Sequence, residues 1–267
     1  MQPTILIAGT LDTKGREASF LKEQVEALGA KALLLDGGIK GEPTIKPDIT
    51  HDEVAASAGS TLEEVRKIPT GEDAMAVMIK GAGAIALDLW RSGKIHGVLG
   101  VGGGMGTNFG TGVMRALPIG VPKVMVTSQG ANPDVVKYAV GTKDICMFNA
   151  VADVADINRL TRTIFARAAG AVVGMANAEV KQGQASQKTV VVCAKGHTEE
   201  ANRAIRQRLI DAGYEVLNAH CWGYGPAALE QLIRDGFVDG GIIEIASDWL
   251  DHIAGGSSYP PEDRYDN

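Results

Sequence analysis

Short apolar runs that end on glycine or small polar residues alternate with stretches of helical periodicity. This alternation limits the fold of the chain more than any other feature. Residues 4–8 (TILIA), bounded by Pro3 and Gly9, read as a buried strand. Residues 16–28 follow with a helical stripe at Phe20, Leu21, Val25 and Leu28, and Gly29 stands where a helix commonly terminates. Residues 31–35 form the next strand and run into Asp36-Gly37-Gly38. After a polar stretch at 40–50, residues 51–59, 61–67 and 71–92 read as helices. A strand at 96–99 then meets Gly100-Val101-Gly102-Gly103-Gly104-Met105-Gly106-Thr107, and a helical segment follows at 108–117. Residues 123–128 (KVMVTS) give another strand, 145–151 a further candidate, and 155–175 a helix. Strands that alternate with helices predict an α/β fold with parallel sheets and right-handed crossovers.

Residues 178–187 (AEVKQGQASQ) are polar, small and without period, which predicts a linker. A second series follows, with strands at 189–194, 214–219 and 241–246 and helices at 198–212, 226–235 and 248–254. The polar tail, 255–267, is expected to fray. The reading is therefore two Rossmann-like subdomains with parallel sheets, residues 1–177 and 188–267, joined by the linker at 178–187. Three strands leave an edge and an apolar face uncovered, so the second subdomain reads as incomplete. The first subdomain or a second chain would have to cover it.

A formal net charge of −6 argues against a general nucleic-acid or anionic-membrane role. No segment reaches about 18 uninterrupted apolar residues, so no membrane span is expected. Met1-Gln2-Pro3 lacks the basic start of a signal peptide. The three cysteines, Cys146, Cys193 and Cys221, contain no CxxC pair, which suits free thiols in a reducing compartment. These features together predict a cytoplasmic protein.

In open α/β sheets ligands lie beyond the carboxyl ends of strands, which selects three segments. Gly9-Thr10-Leu11-Asp12-Thr13-Lys14-Gly15 places hydroxyls, a carboxylate and an ammonium together. Lys14 could neutralise a phosphate and Asp12 could hold a metal or a ribose hydroxyl. The competing reading is a solvated loop in which Asp12 or Thr13 caps the next helix. The glycine loop, Gly102-Gly103-Gly104-Met105-Gly106-Thr107, is neither GxxxxGK[ST] nor a GxGxxG in register. Its glycines exceed what a turn needs and favour ligand contact over close strand–helix packing, with Thr107 as helix N-cap and hydroxyl donor. Thr127-Ser128 offers further hydroxyls or simply a cap, and both readings stay open. Asp36 is the one acidic candidate at the second strand end, and without a true GxGxxG a dehydrogenase is disfavoured. Residues 137–144 read as a polar loop in which Tyr138 is available to stack on a base. The histidines show no paired ligand spacing, so no metal site is expected from them. Thr198 reads as an N-cap followed by Glu199 and Glu200, and neighbours His220 and Cys221 point to opposite faces of a strand.

Residues 98–176 resemble the bacterial and plant proteins related to the N-terminal ATP-binding domain of the tomato resistance protein against tobamoviruses. The resemblance rests on the glycine loop, on residues 115–126 (RALPIGVPKVMV), on Val140-Gly141-Thr142-Lys143-Asp144 and on Val154-Ala155-Asp156-Ile157-Asn158-Arg159. The opening GTLDTK and, further on, Ala212-Gly213-Tyr214-Glu215-Val216 also fit. Such proteins usually read like GGSGGT at the glycine loop, where Met105 here replaces a small residue, and they continue about a hundred residues further, the size of a small domain. The resemblance implies ATP, with or without Mg²⁺, bound by a cytoplasmic, homodimeric protein. It places the phosphates on the glycine loop with Thr10, Asp12 and Lys14, and it brings Gly141 among the candidates. Two alternatives stand beside this reading. One is a metabolic enzyme acting on a sugar acid or phosphorylated small molecule at the same loop. The other is a non-catalytic interaction module.

Overall fold

The computed structural model describes residues 2–179, 187–245 and 247–260. The chain divides into two compact units, residues 1–179 and 180–267. The linker residues 180–186 and the tail residues 261–267 lie outside the described residues.

The first unit is built on β1 (Thr4–Gly9), β2 (Lys31–Asp36), β3 (Gly97–Gly102), β4 (Lys123–Thr127) and β5 (Cys146–Asn149). They form one parallel sheet in the order β2-β1-β3-β4-β5. The period-2 alternation of side chains distributes the apolar residues to both faces. Ile5, Ile7, Leu99, Val101, Val124 and Val126 point to one face and are buried under α1 (Leu11–Ala27) and α7 (Arg159–Asn177). Leu6, Ala8, Val98 and Met125 point to the other. There they meet α2 (His51–Ser57), α3 (Leu62–Arg66), α4 (Gly71–Arg91) and α5 (Gly104–Arg115). α2 and α3 each begin with a threonine capping box, Thr50 with Glu53 and Thr61 with Glu64, which satisfies the first-turn donors of these short helices.

Three local features differ from the sequence-based expectation. β3 runs on to Gly102, so Gly100-Val101-Gly102 is strand rather than loop, and α5 begins at Gly104 rather than at Asn108. α1 begins directly at Leu11, so Asp12, Thr13 and Lys14 lie in its first turn. α6 (Pro133–Val140) stands where a polar loop was expected, because the Asn132 side chain accepts from Asp134 N and Pro133 supplies a preset first helical residue.

The second unit carries β6 (Thr189–Ala194), β7 (Glu215–His220) and β8 (Ile242–Glu244), parallel in the order β7-β6-β8. α8 (Glu199–Asp211), α9 (Gly225–Arg234) and α10 (Asp248–Ile253) connect and follow them. Val191, Cys193, Cys221 and Leu229 form its buried core. The expectation of three free thiols is corrected here. Cys193 and Cys221 are disulfide-bonded, and Cys146 is the free cysteine. Cys193 pairs with Ala219 across the sheet, so Cys221, two residues on, comes to the same face with a Cα–Cα distance of 5.7 Å. Thr198 turns its hydroxyl back to the Lys195 carbonyl instead of capping α8. Residues 255–260, expected to fray, are held instead. Ser258 is buried and donates to the Cys221 carbonyl, and Gly223 bonds Ser257 and Tyr259 through its backbone. No helix among the described residues is long and apolar enough to cross a membrane.

Candidate functional site

The chain leaves β1 for β2 on one side and reaches β3 on the other, so the strand order reverses between β1 and β3. The crevice beyond their carboxyl ends is where doubly wound sheets take ligands. One lip is formed by the β1–α1 junction and the other by the β3–α5 junction.

At the first lip, Gly9 is buried and its carbonyl accepts from Gly37 N at 2.9 Å. Thr10 is the N-cap residue of α1, with its hydroxyl 3.1 Å from that of Thr13. Asp12 reaches over the segment after β2, where its Oδ2 accepts from Lys40 N and Gly41 N at 3.2 Å each. Its Oδ1 is buried without a hydrogen-bond partner among the described residues. Lys14 donates from its ammonium to the Val154 carbonyl, in the segment that follows β5. Asp36, fully buried at the end of β2, binds the corner together through Leu11 N and Gly38 N, both at 2.8 Å to Oδ1. Its Oδ2 stands 3.3 Å from His51 Nδ1. Burial raises the Asp36 carboxyl above its ordinary range, against the pull of those two N–H groups and of His51.

At the second lip the glycines divide into two kinds. Gly100 and Gly102 serve packing. A Cβ on Gly100 would run into Met125 Sδ, and one on Gly102 would stand 2.6 Å from Gly106 Cα. Gly103 and Gly104 face open space, with Ser128 Oγ at 3.8 Å from a Cβ on Gly103 and nothing within 4 Å of one on Gly104. Gly103, not Thr107, is the N-cap of α5, and it supplies no side chain. The N–H groups of Gly104, Met105 and Gly106 therefore have no helical acceptor, at the positive end of a twelve-residue helix. Thr107 lies one turn inside α5, is buried, and donates its hydroxyl to Gly103 O at 2.6 Å. That leaves Thr127 to donate to Thr107 Oγ1, also at 2.6 Å, while Thr127 Oγ1 accepts from Gln129 N. The Thr107 and Thr127 hydroxyls thus join α5 to β4.

Two cavities flank this second lip. A cleft of about 710 Å³ runs along α5 past Asn108, Thr111, Arg115 and Tyr138. A chamber of about 340 Å³ lies over the β1 end, between Thr10, Asp12, Thr13, Lys40, Arg66 and Met75. Met105 lines both. The sequence reading did not single out Arg115. Its Nη1 donates to Thr111 Oγ1 at 3.2 Å and to the carbonyls of Tyr138 and Ala139 at 3.0 and 2.9 Å. No carboxylate pairs with it among the described residues, and burial draws its pKa down. Gly141, at φ +55°, belongs to this arginine's surroundings, since a Cβ there would lie 3.6 Å from Arg115 Cδ. The described residues contain no group of three or more His, Cys, Asp or Glu suited to a metal ion.

Residues 3–181 match the N-terminal domain of the uncharacterised protein family UPF0261, and residues 187–267 match its C-terminal domain. The chain belongs to UPF0261. A UPF0261 protein of Clostridium tetani is 37% identical over 256 residues, covering 96% of this chain and 63% of that protein. The ToMV resistance protein Tm-1(GCR237) of Solanum lycopersicum is 30% identical over 291 residues, covering 99% of this chain and 37% of that protein. The chain thus spans less than two thirds of the length of either relative. Among solved structures, a putative UDP-N-acetylglucosamine 2-epimerase from Listeria monocytogenes aligns with 94% of this chain and 71% of its own, at 11% identity and a TM-score of 0.35.

Proposed function

We propose that the first unit of this UPF0261 chain binds a nucleotide, ATP in the first instance, with its phosphates at the first turn of α5. The observation that carries the reading is the bare N-terminus of α5 at the β1/β3 switch point. Three N–H groups there have no acceptor among the described residues, and Gly103 and Gly104 leave room for an anion to approach the backbone. The adjoining cleft, about 710 Å³, is of the size that small-molecule sites occupy. Tyr138, 72% exposed at its rim, offers a stacking face. Mg²⁺ in nucleotide sites is held by one or two carboxylates together with the phosphates. Asp12, with one oxygen unpartnered, is the carboxylate at this edge suited to that part. A cytoplasmic location and a homodimer belong to the same proposal and are checked by fractionation and light scattering.

Calorimetric titration of the full chain with ATP, ADP and NAD tests the reading. Binding of ATP in preference to NAD is the expected result. Absence of binding by folded protein at millimolar ATP overturns it.

Arg115 favours a second reading, a metabolic enzyme for a sugar acid or phosphorylated small molecule. A part-buried guanidinium whose acceptors among the described residues are neutral oxygens suits an anionic group on the ligand end remote from the α5 N-terminus. Under that reading small phosphorylated acids displace ATP. Under the nucleotide reading they do not. Binding of ATP without turnover would favour an interaction module.

A further inference from the structure

We infer that Met105 is a specificity-determining residue that divides the crevice into two chambers and admits only ligands with a single arm beyond the phosphate. The inference rests on the nucleotide reading above. Met105 is the second residue of α5, and its chain neighbours Gly103, Gly104 and Gly106 carry no side chains. It is therefore the one side chain that rises from this turn, and it is 45% exposed. Its Cε lies 3.8 Å from the point where a Cβ on Gly71 would stand, so it reaches across from α5 to the first residue of α4. The cleft with Asn108, Arg115 and Tyr138 lies on one side of it, and the chamber with Asp12, Lys40 and Met75 on the other.

The N–H groups of Gly104, Met105 and Gly106, without acceptors among the described residues, lie at the root of this side chain. A phosphate bound to them sits at the junction of both chambers. The remainder of the ligand then has two directions open to it, and the methionine closes the passage between them. The larger side is left for one arm, such as a nucleoside, while a second arm branching close to the phosphate collides with the thioether. Methionine is unbranched and adaptable, so this wall yields to small adjustments and still occupies the volume.

The test titrates the full chain and its Met105→Ala and Met105→Leu variants with tripolyphosphate, ATP, and ATP esterified with a phenyl group on its γ-phosphate. That ester puts a second arm on the phosphate chain itself, opposite the nucleoside. Alanine and leucine are both good helix formers, so both variants keep α5. All three proteins are expected to bind tripolyphosphate alike. Wild type and Met105→Leu are expected to prefer ATP over the branched nucleotide by about tenfold or more, as a filled pocket rejects an added group. In Met105→Ala that preference falls to about threefold or less. A Met105→Ala protein that binds ATP and keeps the wild-type preference overturns the inference and leaves the nucleotide reading standing, as does a wild type that binds both nucleotides equally. A wild type that binds no ATP removes both.

Discussion

Replacing Gly102 by alanine tests how closely α5 is seated on the sheet. Gly102 closes β3, and the first turn of α5 folds back directly over it. An alanine Cβ would stand 2.6 Å from Gly106 Cα and 2.9 Å from Gly106 C, whereas ordinary contact begins at 3.4 Å. Both obstructing atoms are backbone, so no rotamer change relieves the clash, and the helix start must move outward by most of the deficit. Such overpacking costs about 1–3 kcal/mol. For a unit of this size that corresponds to a fall in Tm of roughly 2–12 °C. The displaced turn also carries the N–H groups of Gly104, Met105 and Gly106, so affinity for tripolyphosphate should fall along with stability. Gly104→Ala is the control, because nothing lies within 4 Å of its Cβ and a helical alanine is favoured over glycine by up to about 1 kcal/mol. Urea unfolding of the three proteins gives the comparison. A Gly102→Ala protein within about 0.5 kcal/mol of wild type would refute the backbone-on-backbone contact, since that is the ordinary range of surface substitutions.

A second pair of glycines separates helix propensity from packing. Gly81→Ala in α4 should lose about 1–3 kcal/mol because the new Cβ runs into the Val54 carbonyl of α2, whereas Gly170→Ala in α7, with open space around it, should gain up to about 1 kcal/mol in the same urea titration. Asp36 predicts a pH dependence. Burial raises its carboxyl above the ordinary 3.8, so the native state holds a proton that the unfolded chain releases, and stability from this group falls as pH climbs from 3.8 toward the raised value. Asp36→Asn removes that slope in unfolding curves compared across acid pH, and an unchanged slope would count against it. Alkylation of the unfolded chain without reductant should label Cys146 alone, and all three cysteines after reduction. Three labels without reductant would remove the Cys193–Cys221 bond.

The strands were legible wherever a short apolar run met a breaker. β1, β2, β4 and β6 follow directly from TILIA, KALLL, KVMVT and TVVVCA. The end of β3 was not legible, because consecutive glycines look locally like a turn. Their reason is tertiary: Gly100 makes room for Met125, and Gly102 for the backbone of Gly106. Once the strand extends by three residues, Thr107 moves from the cap into the helix interior, and its hydroxyl goes to Gly103 and Thr127. α6 is short, and its existence depends on the Asn132 cap and Pro133 rather than on a long apolar stripe. Arg115 gave no local signal either. It belongs to the site through the carbonyls that end α6, more than twenty residues further along the chain. The disulfide joins cysteines 28 residues apart, and only the parallel register of β6 and β7 brings them together.

The seating of α5 through Gly100, Gly102, Gly106 and Gly110 also decides which wall of the crevice can breathe. At Gly102 backbone is held against the backbone of Gly106, and at Gly100 and Gly110 both backbones close on Met125, so that side opens chiefly by lifting the helix off the sheet, among the costliest of local fluctuations. The opposite wall is tied by replaceable bonds. Arg66 Nε donates to the Ile39 carbonyl at 2.7 Å, and Asp12 holds Lys40 and Gly41 at 3.2 Å. A ligand entering the crevice therefore meets one stationary face and one that can swing. Amide hydrogen exchange should place the fast-opening protons at residues 38–41 and α3, with those of α5 among the slowest in the unit.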